Sequence, residues 1–303
     1  MSAPSVSVVI ATRDRPELLR QAVEAVLAQE YAGVVEVVIV FDQSDVDDTL
    51  AHEAADRRVR IMANRRTPGL AGSRNTGVEA AEGRYIAFCD DDDFWAPPKL
   101  RRQVALLEAS GRHFATCGIR IEYDGGTHER ILEQDEVVFE DLLRDRIPSM
   151  HPSTFLFDRV WANQELGPVS EDLPFGFGED YDFVLRAARL GPVANLSDAL
   201  VTVRWTGGSY FFRRWEAMEA GLTWLLDTYP QFDRDPRGAA RLHGQVAFAV
   251  AAQRRRRDAA RWIRSTISRN PREPRAYLAA VVALGVVGPP TVMGMLHKRG
   301  RGI

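Results

Sequence analysis

Cysteine is nearly missing from this sequence: Cys89 and Cys117 are the only two in 303 residues. Two lone thiols, each inside an apolar run, exclude a disulfide framework and a thiolate zinc site, and they fit a reduced, cytosolic setting. Positive charge is not in excess either. Lys and Arg number 39 against 42 Asp and Glu, for a formal net charge of −3. That argues against general nucleic-acid binding, which needs a basic surface. The N-terminus, Met1-Ser2-Ala3-Pro4, shows no basic stretch leading into an apolar one, so no signal peptide is expected. No Gly-x-x-x-x-Gly-Lys-Ser/Thr loop occurs, and no Gly-x-Gly-x-x-Gly follows the first strand, which weakens P-loop and NAD readings. The length suits two domains, or one large α/β domain with an extension.

What is present centres on residues 85–95. Tyr85-Ile86-Ala87-Phe88-Cys89 runs into Asp90-Asp91-Asp92-Asp93, followed by Phe94-Trp95. The short apolar run, bounded by Gly83 and by Pro97-Pro98, reads as a buried strand. A buried parallel strand delivers its C-terminal end to the rim where open α/β sheets bind ligands. Four carboxylates there repel one another strongly unless a cation sits among them, and a hard divalent ion with a phosphate ligand is the natural one.

The rest of the first third alternates. Val6 to Ala11 is a strand, and Thr12-Arg13-Asp14-Arg15-Pro16 follows it, with Thr12 or Asp14 as a helix cap and Pro16 in the first turn. Leu18, Leu19, Ala22, Val26 and Leu27 recur at helical spacing. Val35 to Phe41 is a second strand ending in Asp42, Asp47-Asp48 opens a helix through about Arg57, and Val59 to Met62 is a third strand. Gly69 to Gly77 is a glycine-rich entry to a helix ending near Gly83. Such alternation means βαβ units and a parallel sheet. Beyond a helix at Leu100, Val104 and Leu107 the pattern becomes mixed. It comprises a strand from Phe114 to Glu122, a strand from His151 to Phe157, a loop from Phe175 opening a helix to Leu190, and a last strand from Val201 to Trp205. From Trp215 the chain reads as helices only.

Asp42, on the same rim, can accept from a nucleobase N–H or a ribose hydroxyl, or simply cap a turn. Arg74, at a helix start behind Gly69 and Gly72, offers a phosphate site or is a surface arginine. Glu179-Asp180 opens a helix. It reads as a cap, or as a general base held over the rim to take an acceptor hydroxyl's proton. His151, before a proline, is a ligand, a base or a structural histidine.

Together these residues resemble family 2 glycosyltransferases of the GT-A fold. Val6 to Pro16 is similar to that family's opening strand and Thr-(Tyr)-Asn-Arg-Pro turn, and Val37 to Asp48 to its second strand and nucleoside aspartate. Gly72-Ser73-Arg74-Asn75-Thr76-Gly77, Asp90-Asp91-Asp92 and Glu179-Asp180 are similar to its Ala-Arg-Asn-x-Gly, Asp-x-Asp and Glu-Asp motifs. The resemblance covers about residues 5–210. It implies an α/β fold: a Rossmann-like, mostly parallel sheet sandwiched by helices, with an α-helical C-terminal extension. The expected divisions are a nucleotide-sugar half (1–110), an acceptor and catalytic-base half (111–214) and the extension (215–303). It further implies a metal-dependent inverting transferase in cell-envelope or extracellular glycan synthesis. The donor would be a UDP-, GDP- or dTDP-sugar and the acceptor a glycan or lipid-linked molecule. By that resemblance Thr12, Arg13, Asp14 and Asp42 belong to the nucleoside site, and Asp90 and Asp91 hold ribose and sugar. Asp92 coordinates Mg²⁺ or Mn²⁺, Asp180 is the base with Glu179 beside it, and Arg204 and Ser209 lie in a loop over the diphosphate, with Arg74 a further phosphate candidate. Arg13 stands where an aromatic residue often stacks on the base, Asp14 replaces Asn, and Trp205-Thr206 stands where a histidine is common. A catalytically silent sugar-nucleotide binder and a nucleotidyltransferase on a similar fold are the alternatives.

The last quarter lies outside these motifs. Arg254-Arg255-Arg256-Arg257 is a basic block, and Ala276 to Leu296 carries no charge. The length would permit a membrane span, but Gly285, Gly288, Pro289 and Pro290 break it into two short helices. Basic flanks favour peripheral contact of residues 254–303 with the inner, anionic face of the plasma membrane. Helical packing or a homo-oligomer interface is the alternative.

Overall fold

The computed structural model describes residues 3–123, 126–204, 214–297 and 303. The strands are β1 (Val6–Thr12), β2 (Val35–Phe41), β3 (His52–Glu53), β4 (Arg57–Ala63), β5 (Tyr85–Asp90), β6 (Phe94–Trp95), β7 (Phe114–Tyr123), β8 (Gly126–Arg130), β9 (Glu136–Val137), β10 (Leu156–Asp158) and β11 (Val193–Arg204). The helices are α1 (Pro16–Leu27), α2 (Leu70–Ala80), α3 (Lys99–Ser110), the short α4 (Phe139–Arg144) and α5 (Arg159–Trp161), α6 (Glu179–Leu190), α7 (Trp215–Thr228), α8 (Pro236–Ala252), α9 (Arg256–Arg269), α10 (Pro274–Ala283) and α11 (Pro289–His297). Two compact units result. One comprises residues 1–139, 147–171 and 179–206, and the other 140–146, 172–178 and 207–303.

The first unit is a single sheet ordered β3-β4-β2-β1-β5-β10-β7-β11-β6, with β8 on β7 and β9 on β11. β4, β2, β1 and β5 are parallel, and so are β7 and β11, while β10 runs antiparallel between β5 and β7. β1 and β2 are buried at every residue, as strands covered on both faces must be. Their register sets the rim: Thr12 pairs with Phe41 and Ala11 with Asp90, so the chain leaves three neighbouring strands at one level. Phe183 of α6 packs into a cluster with Phe88 (ring centroids 5.7 Å apart), Phe157 (5.4 Å) and Phe114 (6.0 Å). Each aromatic pair contributes about 0.5–1.5 kcal/mol beyond area burial. This anchor fixes α6 against the sheet and so fixes Glu179 and Asp180, one turn earlier.

Four local expectations fail, each for a physical reason. No helix forms over 47–57. Asp47 accepts the Thr49 N–H and closes a single 3₁₀ turn at Asp48–Leu50, after which β3 pairs antiparallel with β4. No residue from 45 to 56 is buried, so a helix there has no face to dock. Neither Thr12 nor Asp14 caps α1: Arg15 is the N-cap and makes no side-chain cap bond, though Pro16 does sit in the first turn. His151 to Phe157 is not one strand but a 3₁₀ turn (Pro152–Thr154) leading into β10. The last strand starts at Val193, well before Val201. Register shifts between Leu196 and Val201 hide its alternation in the sequence.

In the second unit α8 is the central helix, buried over most of its length and packed against α7, α9 and α10. Asp235 caps it, accepting the N–H groups of Arg237 and Gly238, and Arg144 Nε donates to the same carboxylate at 2.9 Å. The uncharged stretch 276–296 is two helices, α10 and α11, broken at 284–288. No described helix is long and apolar enough to cross a membrane.

Candidate active site

The rim gathers most of the expected residues. Asp42, just past β2, donates its N–H to the Thr12 carbonyl at 2.9 Å. Its carboxylate accepts from Asn64 Nδ2 (2.9 Å), Gln43 Nε2 (3.0 Å) and the Gly69 N–H at the start of α2 (3.0 Å). Burial alone would raise its pKa, but these donors and the charge of Arg13 hold it below the ordinary carboxylate range. A cavity of about 440 Å³ opens here, lined by Phe41, Asp42, Gln43, Asn64, Arg66 and Pro68 among others. Arg13 and Asp14 are exposed, and Asp14 takes a positive φ of 53°.

The four aspartates diverge. Asp91 is buried and accepts from Thr12 Oγ1 at 2.8 Å and Arg15 Nη1 at 3.2 Å, and the same nitrogen reaches Asp92 Oδ2 at 2.8 Å. Asp93 is buried. Its carboxylate turns inward, where Ser153 Oγ donates to it and His151 Nδ1 lies 3.2 Å away. Asp90 Oδ1 accepts from Arg74 Nη2 at 2.8 Å, and its other oxygen faces His151 Nε2 at 3.9 Å. Burial, reinforced by the charges of Asp90, Asp93 and Asp91, pushes Asp92 up to about 7, with Arg15 opposing. Burial would lower His151, but Asp93 and Asp90 overcome it and push the imidazole up to about 9.

Arg74 is buried, lies 5.4 Å over the Phe88 ring, and donates its guanidinium to Asp90 and to Glu179 Oε1 at 2.9 Å. Burial works against its charge, and the two carboxylates more than restore it. Asp180, half-buried, accepts from the Tyr181 N–H at 2.8 Å and is near enough to raise both Arg74 and His151 electrostatically. Arg204 lies 4.1 Å over the Phe94 ring, with Glu122 at 3.7 Å and Gln21 Oε1 at 3.3 Å. Ser209 and Trp205-Thr206 lie outside the described residues.

Arg15 and Asp93 were not singled out as site residues in the sequence, and His151 was left open there. The signal for Arg15 was its place in the Thr-x-x-Arg-Pro turn, one strand away from an acidic run that needs cations.

Arg15, Arg74 and His151 lie among the carboxylates of Asp90, Asp91, Asp92, Asp93 and Glu179. Ligand atoms of Asp90, Asp93 and His151 lie within 4.8 Å of one another. Hard carboxylate oxygens with one imidazole fit Mg²⁺ or Mn²⁺.

Comparison with known proteins decides the family. The sequence model described as "Glycosyl transferase family 2" matches residues 7–164, more than half of the chain. The chain belongs to this family. Among its relatives, "Succinoglycan biosynthesis protein ExoO" of Rhizobium meliloti (strain 1021) is 31% identical over 206 residues, covering 62% of this chain and 57% of that protein. "UDP-Glc:alpha-D-GlcNAc-diphosphoundecaprenol beta-1,3-glucosyltransferase WfaP" of Escherichia coli is 34% identical over 121 residues, covering 39% and 47%. The matches thus span about half the length of these two curated relatives. Solved structures share the GT-A fold. S. aureus TarS 1-349 in complex with UDP-GlcNAc has a TM-score of 0.63 at 17% identity, covering 93% of this chain and 88% of that one. The mannosyltransferase PcManGT from Pyrobaculum calidifontis, in complex with GDP-Man and Mn2+, has a TM-score of 0.57 at 18% identity, covering 95% and 81%.

Proposed function

We propose that this family 2 chain is a metal-dependent inverting glycosyltransferase. It would move a sugar from a nucleoside-diphosphate sugar to an acceptor hydroxyl in cell-envelope or extracellular glycan synthesis. The observation that carries this reading is the Arg74 bridge: one buried guanidinium ties Asp90 at the tip of β5 to Glu179 beside Asp180.

Asp42, with Thr12, Arg13 and Asp14 around it, receives the nucleoside. Asp90 takes ribose or sugar hydroxyls, while Asp91, committed to Thr12 and Arg15, holds the turn in shape. Asp92 is the metal ligand, next in the chain to the cluster of Asp90, Asp93 and His151. A bound divalent ion would neutralise charge on the departing diphosphate without proton transfer. Asp180 accepts the acceptor's hydroxyl proton as the new bond forms to the anomeric carbon and the bond to the diphosphate oxygen breaks. Arg204 approaches the diphosphate from the end of β11.

The names of relatives support the substrate class. WfaP is named as a beta-1,3-glucosyltransferase acting from UDP-Glc on alpha-D-GlcNAc-diphosphoundecaprenol, a lipid-linked acceptor. ExoO is named for succinoglycan biosynthesis. Two solved structures of this fold are complexes with UDP-GlcNAc and with GDP-Man and Mn2+.

The test is nucleoside diphosphate release from a panel of UDP-, GDP- and dTDP-sugars with Mn²⁺, comparing wild type with Asp180→Asn. Loss of transfer with retained donor binding supports the mechanism. Transfer unchanged in Asp180→Asn overturns it, and release of pyrophosphate marks a nucleotidyltransferase.

A further inference from the structure

The helical unit brings exposed apolar side chains and unpaired positive charge to one end. α8, α9 and α10 pack on one another and are joined by short turns. The C-terminal end of α8, the N-terminal end of α9 and the C-terminal end of α10 therefore meet. A methyl group placed on Gly285, just past α10, would lie 3.7 Å from Arg256 Nη2 at the start of α9.

Among the described residues the two most exposed large apolar side chains lie at this end. Leu284 and Val286, in the turn after α10, are 73% and 71% exposed, and Tyr277, two turns earlier on the same helix, is 53% exposed. Single exposed apolar residues need no explanation, but a concentration of them marks an interaction surface. The surrounding charge says what kind. Residues 254–297 hold nine arginines against Asp258 and Glu273, in a chain of net charge −3. Arg255 is bound to Glu219 and Asp258. Arg254, Arg256 and Arg257 are exposed and have no carboxylate within salt-bridge distance among the described residues. Arg254 also holds a positive φ of 63°, a conformation that favours glycine. A second copy of the same surface would set arginines against arginines.

We propose that the 284–287 turn is a wedge that enters the headgroup and acyl boundary of an anionic phospholipid surface, with Arg254, Arg256 and Arg257 bound to lipid phosphates. Its helices are too short to span, so contact is interfacial. The inference stands whether or not the chain transfers sugar, because vesicle binding requires no turnover.

The experiment is co-sedimentation of the full chain with vesicles of phosphatidylcholine alone or mixed with phosphatidylglycerol, in about 0.1 M salt. Wild type should bind the anionic vesicles and largely ignore the neutral ones. L284S/V286S should bind at least tenfold more weakly. R254Q/R256Q/R257Q should bind about a hundredfold more weakly, at roughly fivefold per arginine. All five positions are exposed, and thermal melts of the variants check that the fold is kept. No binding by wild type, equal binding to both vesicles, or unchanged binding by both variants overturns the proposal. So does self-association of the free protein that L284S/V286S abolishes, which assigns the surface to a second copy.

Discussion

Arg74 Nη1 donates to Glu179 Oε1 at 2.9 Å, joining two buried side chains 105 residues apart. The pair couples α2 to the first turn of α6, and the second arm of the same guanidinium reaches Asp90. Replacing Arg74 with Met keeps the volume but removes the guanidinium that Asp90 and Glu179 share. Breaking a buried pair in this way costs about 3–5 kcal/mol. Urea unfolding of Arg74→Met should show that loss at neutral pH. Part of it should return as the pH falls, because these carboxyls then fold in their neutral form. A loss below about 1 kcal/mol would mean the bridge is ornamental.

Arg15 makes a different prediction, because it competes for the carboxylates that a metal would use. Its guanidinium is the cation opposing the rise of Asp92. In Arg15→Gln the aspartates keep their burial and mutual repulsion but lose that offset. The variant should melt lower than wild type in the absence of metal, by the equivalent of about 1–2 kcal/mol. Added Mn²⁺ should raise its melting temperature by more than it raises that of wild type, since binding to the native state stabilises it. Equal shifts in the two proteins would remove Arg15 from the cation balance.

Strands β1, β2 and β5 and the places of Asp42 and Asp90 at strand ends were legible because buried parallel strands advertise themselves as short β-branched runs. What the sequence concealed was side-chain commitment. Arg74 follows a glycine-rich helix entry just as a phosphate ligand would, and only the fold reveals Glu179 waiting for it. Asp93 is one of four identical letters, and nothing local says that Ser153 and His151 turn it inward. Strand β11 was half-hidden because its register slips hide the period of two.

Gly77 tests the packing beneath the site. A Cβ there would fall 2.3 Å from Val9 Cγ1, so α2 crosses β1 with no room for a methyl group. Gly77→Ala must push the helix off the strand that ends in Thr12. Overpacking of this kind costs about 1–3 kcal/mol, against a helix-propensity gain of up to ~1 kcal/mol. The denaturation midpoint should drop, and Gly77→Ala/Val9→Ala should recover much of the loss, since the second change opens the space the first one needs. A double mutant no better than the sum of the singles would place the strain elsewhere.

His243 predicts how the helical unit responds to acid. Its ring sits 5.0 Å from Trp262, with Nδ1 2.9 Å from Ser265 Oγ. Burial, aided by the charge of Arg269 and only slightly opposed by Asp233, lowers its pKa from 6.5 to about 4. The folded state therefore holds a neutral imidazole over a range where the unfolded chain is protonated. Stability from this group is complete above about pH 6.5 and drains away as the pH falls toward 4, where the folded form also takes up the proton. The full difference corresponds to about 3 kcal/mol, and solvent screening at a partly accessible ring reduces it to about 2 kcal/mol. Carboxylates elsewhere also weaken the fold in acid, so the comparison must be between variants. His243→Gln should be less stable than wild type at pH above 7 but lose about 2 kcal/mol less between there and pH 4.5. Parallel stability curves for the two proteins across that window would show that this histidine does not carry the acid response.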